Sequence, residues 1–128
     1  MPRKTLQVIE TAYRATIEEQ DDTCLWICHA MKGGGADLAV LLRGNAVNYG
    51  VKGQDASGLR FGDKPQTQPP RLADDVASLI GKGVDVWFVE DDAAERGLER
   101  GDLIDGLRPV KRAGLARLFG EYDQIWHW

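Results

Sequence analysis

The chain is poor in three things that would each decide its class. It has two cysteines, Cys24 and Cys28, too few to staple a domain of 128 residues with disulfides. No apolar run approaches the roughly 18 residues that cross a bilayer, which excludes a helical membrane span. Basic residues do not dominate: 16 Lys+Arg stand against 20 Asp+Glu, a formal net charge of −4 with a pI near 5.1. A domain that lives on phosphate contacts shows a basic face and often a pI above about 9, so nucleic acid is not an expected partner. The opening Met1-Pro2-Arg3-Lys4-Thr5 leads into an amphipathic stretch without an apolar signal region, and the cytoplasm is the expected compartment. What remains is an ordinary globular composition, 43% hydrophobic and 28% charged, sized for one domain around one core.

Along the chain, short β-branched or apolar runs alternate with helical periodicity. Residues 6–11 read as a strand, and a helix follows with a capping box from Thr16 to Glu19. Glu18, Glu19, Asp21 and Asp22 crowd its first turns, where carboxylates meet the positive end of the helix dipole. It runs to about Lys32 and is closed by Gly33-Gly34-Gly35. At 100° per residue Cys24, Ile27, Cys28 and Met31 share its inner face, while Trp26 and His29 point outward, His29 to solvent or a subunit contact. Residues 37–42 form a nearly continuous apolar strand of the kind covered on both faces. A short helix is expected over residues 46–51, then a long loop over 52–70 that lacks periodicity. Leu72, Val76, Leu79 and Ile80 recur at helical spacing. Residues 84–89 are a third strand, Leu115, Leu118 and Phe119 mark a last helix, and residues 124–128 a terminal strand.

Strand and helix alternating in this way is the pattern of a single α/β domain, an open parallel sheet with helices on both faces. In such sheets ligands gather beyond the carboxyl ends of the strands. That rule points to residues 12–16, 43–48 and 90–97.

Motifs exclude more than they supply. The turn after the first strand has no glycine, so a dinucleotide fingerprint is absent, and Gly81-Lys82-Gly83 lacks the rest of a phosphate-binding loop. Neither Ser57 nor Ser78 stands in a nucleophile elbow. Cys24 and Cys28 share a helix face with metal-ligand chemistry, but on an apolar face they read as small buried hydrophobes, and no metal or cofactor is expected. Glu90-Asp91-Asp92, just past the third strand, has two readings. It can serve as acid, base or cation ligand, or Asp91 or Asp92 can cap a short helix over residues 93–96, with Arg96 pairing to the carboxylates. Trp87, Trp126, Trp128 and Tyr122 read as core or oligomer contacts, and Trp26, opposite the core face, marks a subunit interface.

Several blocks together resemble a known family. Val40-Leu41-Leu42-Arg43-Gly44-Asn45-Ala46-Val47, Gly50-Val51-Lys52-Gly53-Gln54, Gly83-Val84-Asp85-Val86, Arg96-Gly97-Leu98 and Leu103-Ile104-Asp105-Gly106 are similar, in order and spacing, to the DsrE/DsrF-like proteins of sulfur relay, especially the small hexamer-forming branch. The resemblance covers the chain from about Leu6 onward, with an insertion at residues 57–70. It implies five parallel strands, homo-oligomers that are trimers or hexamers, sulfur-relay partner proteins, and persulfide transfer through a cysteine after the third block. Here Val89 and Asp92 occupy the positions where that cysteine would align, and a carboxylate cannot replace a thiolate in a covalent sulfur relay.

The expected protein is a DsrE-like oligomer that binds or assists rather than transfers sulfur. Its expected ligand site comprises Tyr13, Arg43, Asn45, Asp91, Asp92 and Arg96 at the strand ends, with the 52–70 loop as a cover. Two alternatives stand beside it: a sulfurtransferase using Cys24 or Cys28, and a small-molecule enzyme using Glu90, Asp91 and Asp92.

Overall fold

The computed structural model describes residues 3–13 and 22–128; the Thr16–Glu19 capping box and Glu18, Glu19 and Asp21 lie outside the described residues. The chain forms strand β1 (Lys4–Ile9), helix α1 (Thr23–Gly33), strand β2 (Asp37–Leu42) and a 3-10 segment (Gly44–Gly50). A two-stranded hairpin follows, β3 (Arg60–Phe61) and β4 (Lys64–Pro65), then helix α2 (Leu72–Gly81), strand β5 (Asp85–Val89) and helix α3 (Glu90–Glu95). A 3-10 turn (Arg100–Asp102), strand β6 (Arg108–Val110), a second 3-10 turn (Arg112–Gly114), helix α4 (Leu115–Phe119) and strand β7 (Gln124–His127) complete it.

Five strands make one sheet in the order β6-β5-β2-β1-β7, every pair parallel. The sheet grows in one direction from β1 through β2 and β5 to β6, then the chain returns to place β7 on the far side of β1. Right-handed crossovers put connections that advance in one direction on one face and the returning connection on the other. Ile9, Val40, Leu42, Val86 and Phe88 accordingly pack with Leu25, Val76 and Leu79 of α1 and α2. Leu6, Val8, Ala39, Leu41 and Val89 pack with Leu115 and Leu118 of α4. The near-continuous apolar composition of β2 follows from its place between two such layers.

Two elements escape the sequence pattern. β6 is three residues long, contains Pro109, and lies at the sheet edge, where a strand tolerates proline. The 52–70 region carries the β3–β4 hairpin, turned at Gly62-Asp63, where Gly62 has φ 65°.

Helix α1 begins later than its periodicity suggests. Asp22 is not in its first turn but caps it, fully buried, one carboxylate oxygen accepting the amides of Cys24 at 2.9 Å and Leu25 at 3.1 Å. The other oxygen accepts the Tyr49 hydroxyl at 2.5 Å, and that hydroxyl accepts the Tyr13 amide at 2.5 Å. At the helix end Gly35, with φ +90°, takes the left-handed conformation that its composition offers. His29 does not face solvent as the helical wheel suggests. Its Nε2 lies 3.0 Å from the Asp75 carbonyl oxygen and its Nδ1 2.9 Å from Lys82 Nζ, so it bridges α1 to α2.

Replacing Asp22 removes a cap and strands a buried hydroxyl. Asp22→Ala is expected to lower unfolding free energy by about 2–4 kcal/mol, from the cap and the lost buried hydrogen bond together. Urea unfolding checks this, and Tyr49→Phe, which leaves the cap in place, is expected to cost less.

Candidate functional site

The carboxyl ends of β1, β2, β5 and β6 meet in a network of charges. At its centre Asp92, 6% exposed, accepts the Gly44 amide at 2.7 Å on one oxygen and the Arg112 guanidinium on the other. Arg112 also reaches Glu95 Oε1 at 2.8 Å, and its backbone amide donates to Asp91 Oδ1 at 2.8 Å. Arg96 donates to Asn45 Oδ1 from Nε at 3.1 Å and from Nη2 at 2.9 Å, and to the main-chain carbonyl of Asp92 at 3.0 Å. Beside this group Arg43 pairs with Glu10 at 3.3 Å, and His127 stands 3.8 Å from the other Glu10 oxygen.

Local sequence explains the placement. Gly44 has φ +56°, and a Cβ there would meet the Glu10 side chain at 3.2 Å, so glycine lets the chain leave β2 tightly enough to aim its amide at Asp92. Helix α3 starts at Glu90 with Val89 as its uncapped flank. The expectation that Asp91 or Asp92 caps this helix is thus corrected: Asp91 receives the amide that opens the 112–114 turn, and Asp92 receives the one that leaves β2. Arg96 likewise binds Asn45 and a carbonyl instead of the Glu90-Asp91-Asp92 carboxylates, its nearest carboxylate contact being Glu95 at 4.0 Å.

Electrostatics follow the contacts. Burial works against the charged form of Asp92, but the Gly44 amide and Arg112 outweigh it and hold its carboxyl below the usual value. The Arg112 amide does the same for Asp91. These carboxylates are charged and engaged, the opposite of a raised-pKa acid poised to donate a proton.

Of the six expected site residues, the structure gathers Asn45, Asp91, Asp92 and Arg96 into one network and puts Arg43 beside it with Glu10. Tyr13 sits elsewhere: its ring stands edge-on to Tyr49 with centroids 5.4 Å apart, and it lines a separate hollow with Gln54, Asp55, Ala56, Pro70 and Leu72. Residues 53–57 and 69–70 of the 52–70 loop wall a cleft against the start of α2. Gly44 and Glu95 join the network from within the strand-end ranges the sequence indicates, and Glu10, Arg112 and His127 join it from outside them. Arg112 follows the edge strand whose pattern is hidden, and Glu10 carries no signal beyond its place at a strand end.

Cys24 and Cys28 are buried on the inner face of α1, as the wheel suggests. Burial, with Cys24 and Asp22 adding to it, pushes the Cys28 thiol up to about 12. Among the described residues no group of three or more His, Cys, Asp or Glu is placed to hold a metal ion, and no helix is long and apolar enough to cross a membrane.

The Asp92 contacts make stability depend on acid. A carboxyl whose folded pKa is depressed contributes stability above its unfolded value, near 4, and loses it as pH falls through the folded value. Asp92→Asn is therefore expected to cost about 1–3 kcal/mol at pH 7 and to flatten the loss of stability below about pH 4, measured by urea unfolding across that range.

No protein-family model matches the chain, and no curated protein matches it. Solved structures do. The crystal structure of the ychN protein from E. coli superposes with a TM-score of 0.74 over 100% of both chains at 18% identity. A protein of unknown function, MTH1491 from Methanobacterium thermoautotrophicum, superposes with a TM-score of 0.62 at 14% identity, covering 97% of this chain and 98% of its own. Across its whole length, this chain has the fold of the ychN protein.

Proposed function

We propose that the protein is a DsrE-like homo-oligomer acting as a non-catalytic binding or accessory subunit related to sulfur-relay proteins, in the cytoplasm. The observation that carries this reading is the state of the two places where a relay thiol would be needed. At the end of β5, Val89 is fully buried and Asp92 is locked by Gly44 and Arg112. The two thiols the chain does possess are buried in the core, and a thiol raised to about 12, as Cys28 is, holds almost no thiolate at neutral pH. The full-length likeness of fold supports the family, and the blocks around Arg43-Gly44-Asn45 and Leu103-Ile104-Asp105-Gly106 agree with it.

Thiol labelling tests the reading directly. Cys24 and Cys28 in the native protein are expected to react far more slowly than free cysteine, and incubation with a sulfur donor is expected to leave no persulfide. A persulfide on either residue overturns the accessory role in favour of a sulfurtransferase.

Assembly into trimers or hexamers is supported by large apolar side chains left in water: Trp26 is 56% exposed, Ile125 42% and Trp126 41%. Light scattering is expected to give three or six times the 14.2 kDa chain mass, reduced by Trp26→Lys. A single-chain mass at every concentration removes this part of the proposal.

A further inference from the structure

We propose that the trough between Tyr13, Gln54, Asp55 and the start of α2 is a binding site for a small organic amine or guanidinium compound. It lies apart from the strand-end network and needs no thiol, so it stands or falls independently of the accessory role.

Two hollows, of about 370 and 260 Å³, share Gln54, Asp55, Ala56, Pro70 and Leu72 and so form one depression. Its size falls in the range of small-molecule sites, roughly 300–1,000 Å³. Leu72, buried, with Ala56 and Pro70 gives it an apolar lining. Tyr13 contributes an aromatic wall, half exposed and held by two contacts: its ring is edge-on to Tyr49, and its amide is bound by the Tyr49 hydroxyl that Asp22 holds in turn.

The polar groups select the ligand. The two N–H groups of the Gln54 side-chain nitrogen are shared among three carbonyls, Val51 at 2.9 Å, Asn48 at 3.2 Å and Tyr49 at 3.3 Å. Carbonyls accept only from the NH2 end, which fixes the amide's orientation and leaves its Oε1 without a partner among the described residues. Next to it the Asp55 carboxyl is held below its usual range by Ser57 and stays ionised. Asp74 adds a second, exposed carboxylate to the lining, against the single guanidinium of Arg71. An oriented carbonyl acceptor and excess negative charge beside an aromatic wall suit a cation rich in N–H groups, which hydrogen-bonds to the oxygens and rests against the ring. The net charge of −4 favours its approach.

Agmatine, which carries both an ammonium and a guanidinium, is the probe, with succinate as anionic control. Calorimetry on the full chain is expected to show saturable agmatine binding at about 1 mM or tighter. Amide NMR shifts are expected at residues 53–57 and 71–74 and at the Gln54 side chain. Asp55→Asn and Tyr13→Ala alter exposed groups, and spectra unchanged outside the trough confirm that both variants fold. Each is expected to weaken agmatine at least about tenfold. A smaller drop, shifts centred elsewhere, equal binding of succinate, or no saturation by about 10 mM overturns the proposal.

Discussion

One carboxylate joins three strands of this sheet. Asp92 takes the amide that leaves β2 on one oxygen and the guanidinium that follows β6 on the other, while its own helix grows directly from β5. Parallel strands have no hairpins to set the relative positions of their ends, so the carboxyl ends of β2, β5 and β6 need another fastening. A nearly buried, ionised side chain satisfied by an amide and an arginine supplies it, in a place where an unpaired charge would be strongly destabilising. The geometry of Gly44 and the placement of the Arg112 guanidinium follow from keeping that side chain satisfied.

That use of the strand ends bears on the chemistry. In an open α/β sheet the same positions are where reacting groups are usually displayed. Here they are spent on each other: Arg96 on Asn45, Arg43 on Glu10, Arg112 on Asp92 and Glu95. The polar atoms of the Tyr13 side are arranged differently, with a buried Asp22–Tyr49 pair supporting an exposed ring and a glutamine whose oxygen has no partner among the described residues. The strand-end network and the proposed binding trough thus occupy separate regions of one small domain.

The layered sheet was legible because burial on both faces leaves β2 and β5 nearly all apolar, and α2 shows its stripe at Leu72, Val76 and Leu79 without ambiguity. β6 was hidden because an edge strand of Arg108-Pro109-Val110 has neither alternation nor an apolar run. The Gly62-Asp63 turn was a readable hairpin signal, but strands of two residues give it no flanking pattern. Side-chain partnerships were less accessible. Asp92 finds its partners 48 and 20 residues away, and His29 finds Asp75 46 positions on and Lys82 53. A helical wheel places His29 correctly on the flank away from the buried cysteines, yet cannot show that α2 covers that flank.

The buried Gln7 gives the fold an order of events. Its carbonyl accepts the Trp128 indole N–H at 2.7 Å, its amide faces the Met31 sulfur at 3.2 Å, and the Trp128 backbone bridges Val8 and Glu10. The first strand is thereby completed on one side by the last, across a separation of 121 residues. During synthesis β2 can pair with β1 early, but the opposite edge of β1 and the polar end of Gln7 wait until β7 has emerged. Such distant closure slows folding and leaves an unpaired central strand open to mispairing in the meantime. The interval before Trp128 docks is therefore when this chain is most exposed to association with the wrong strand.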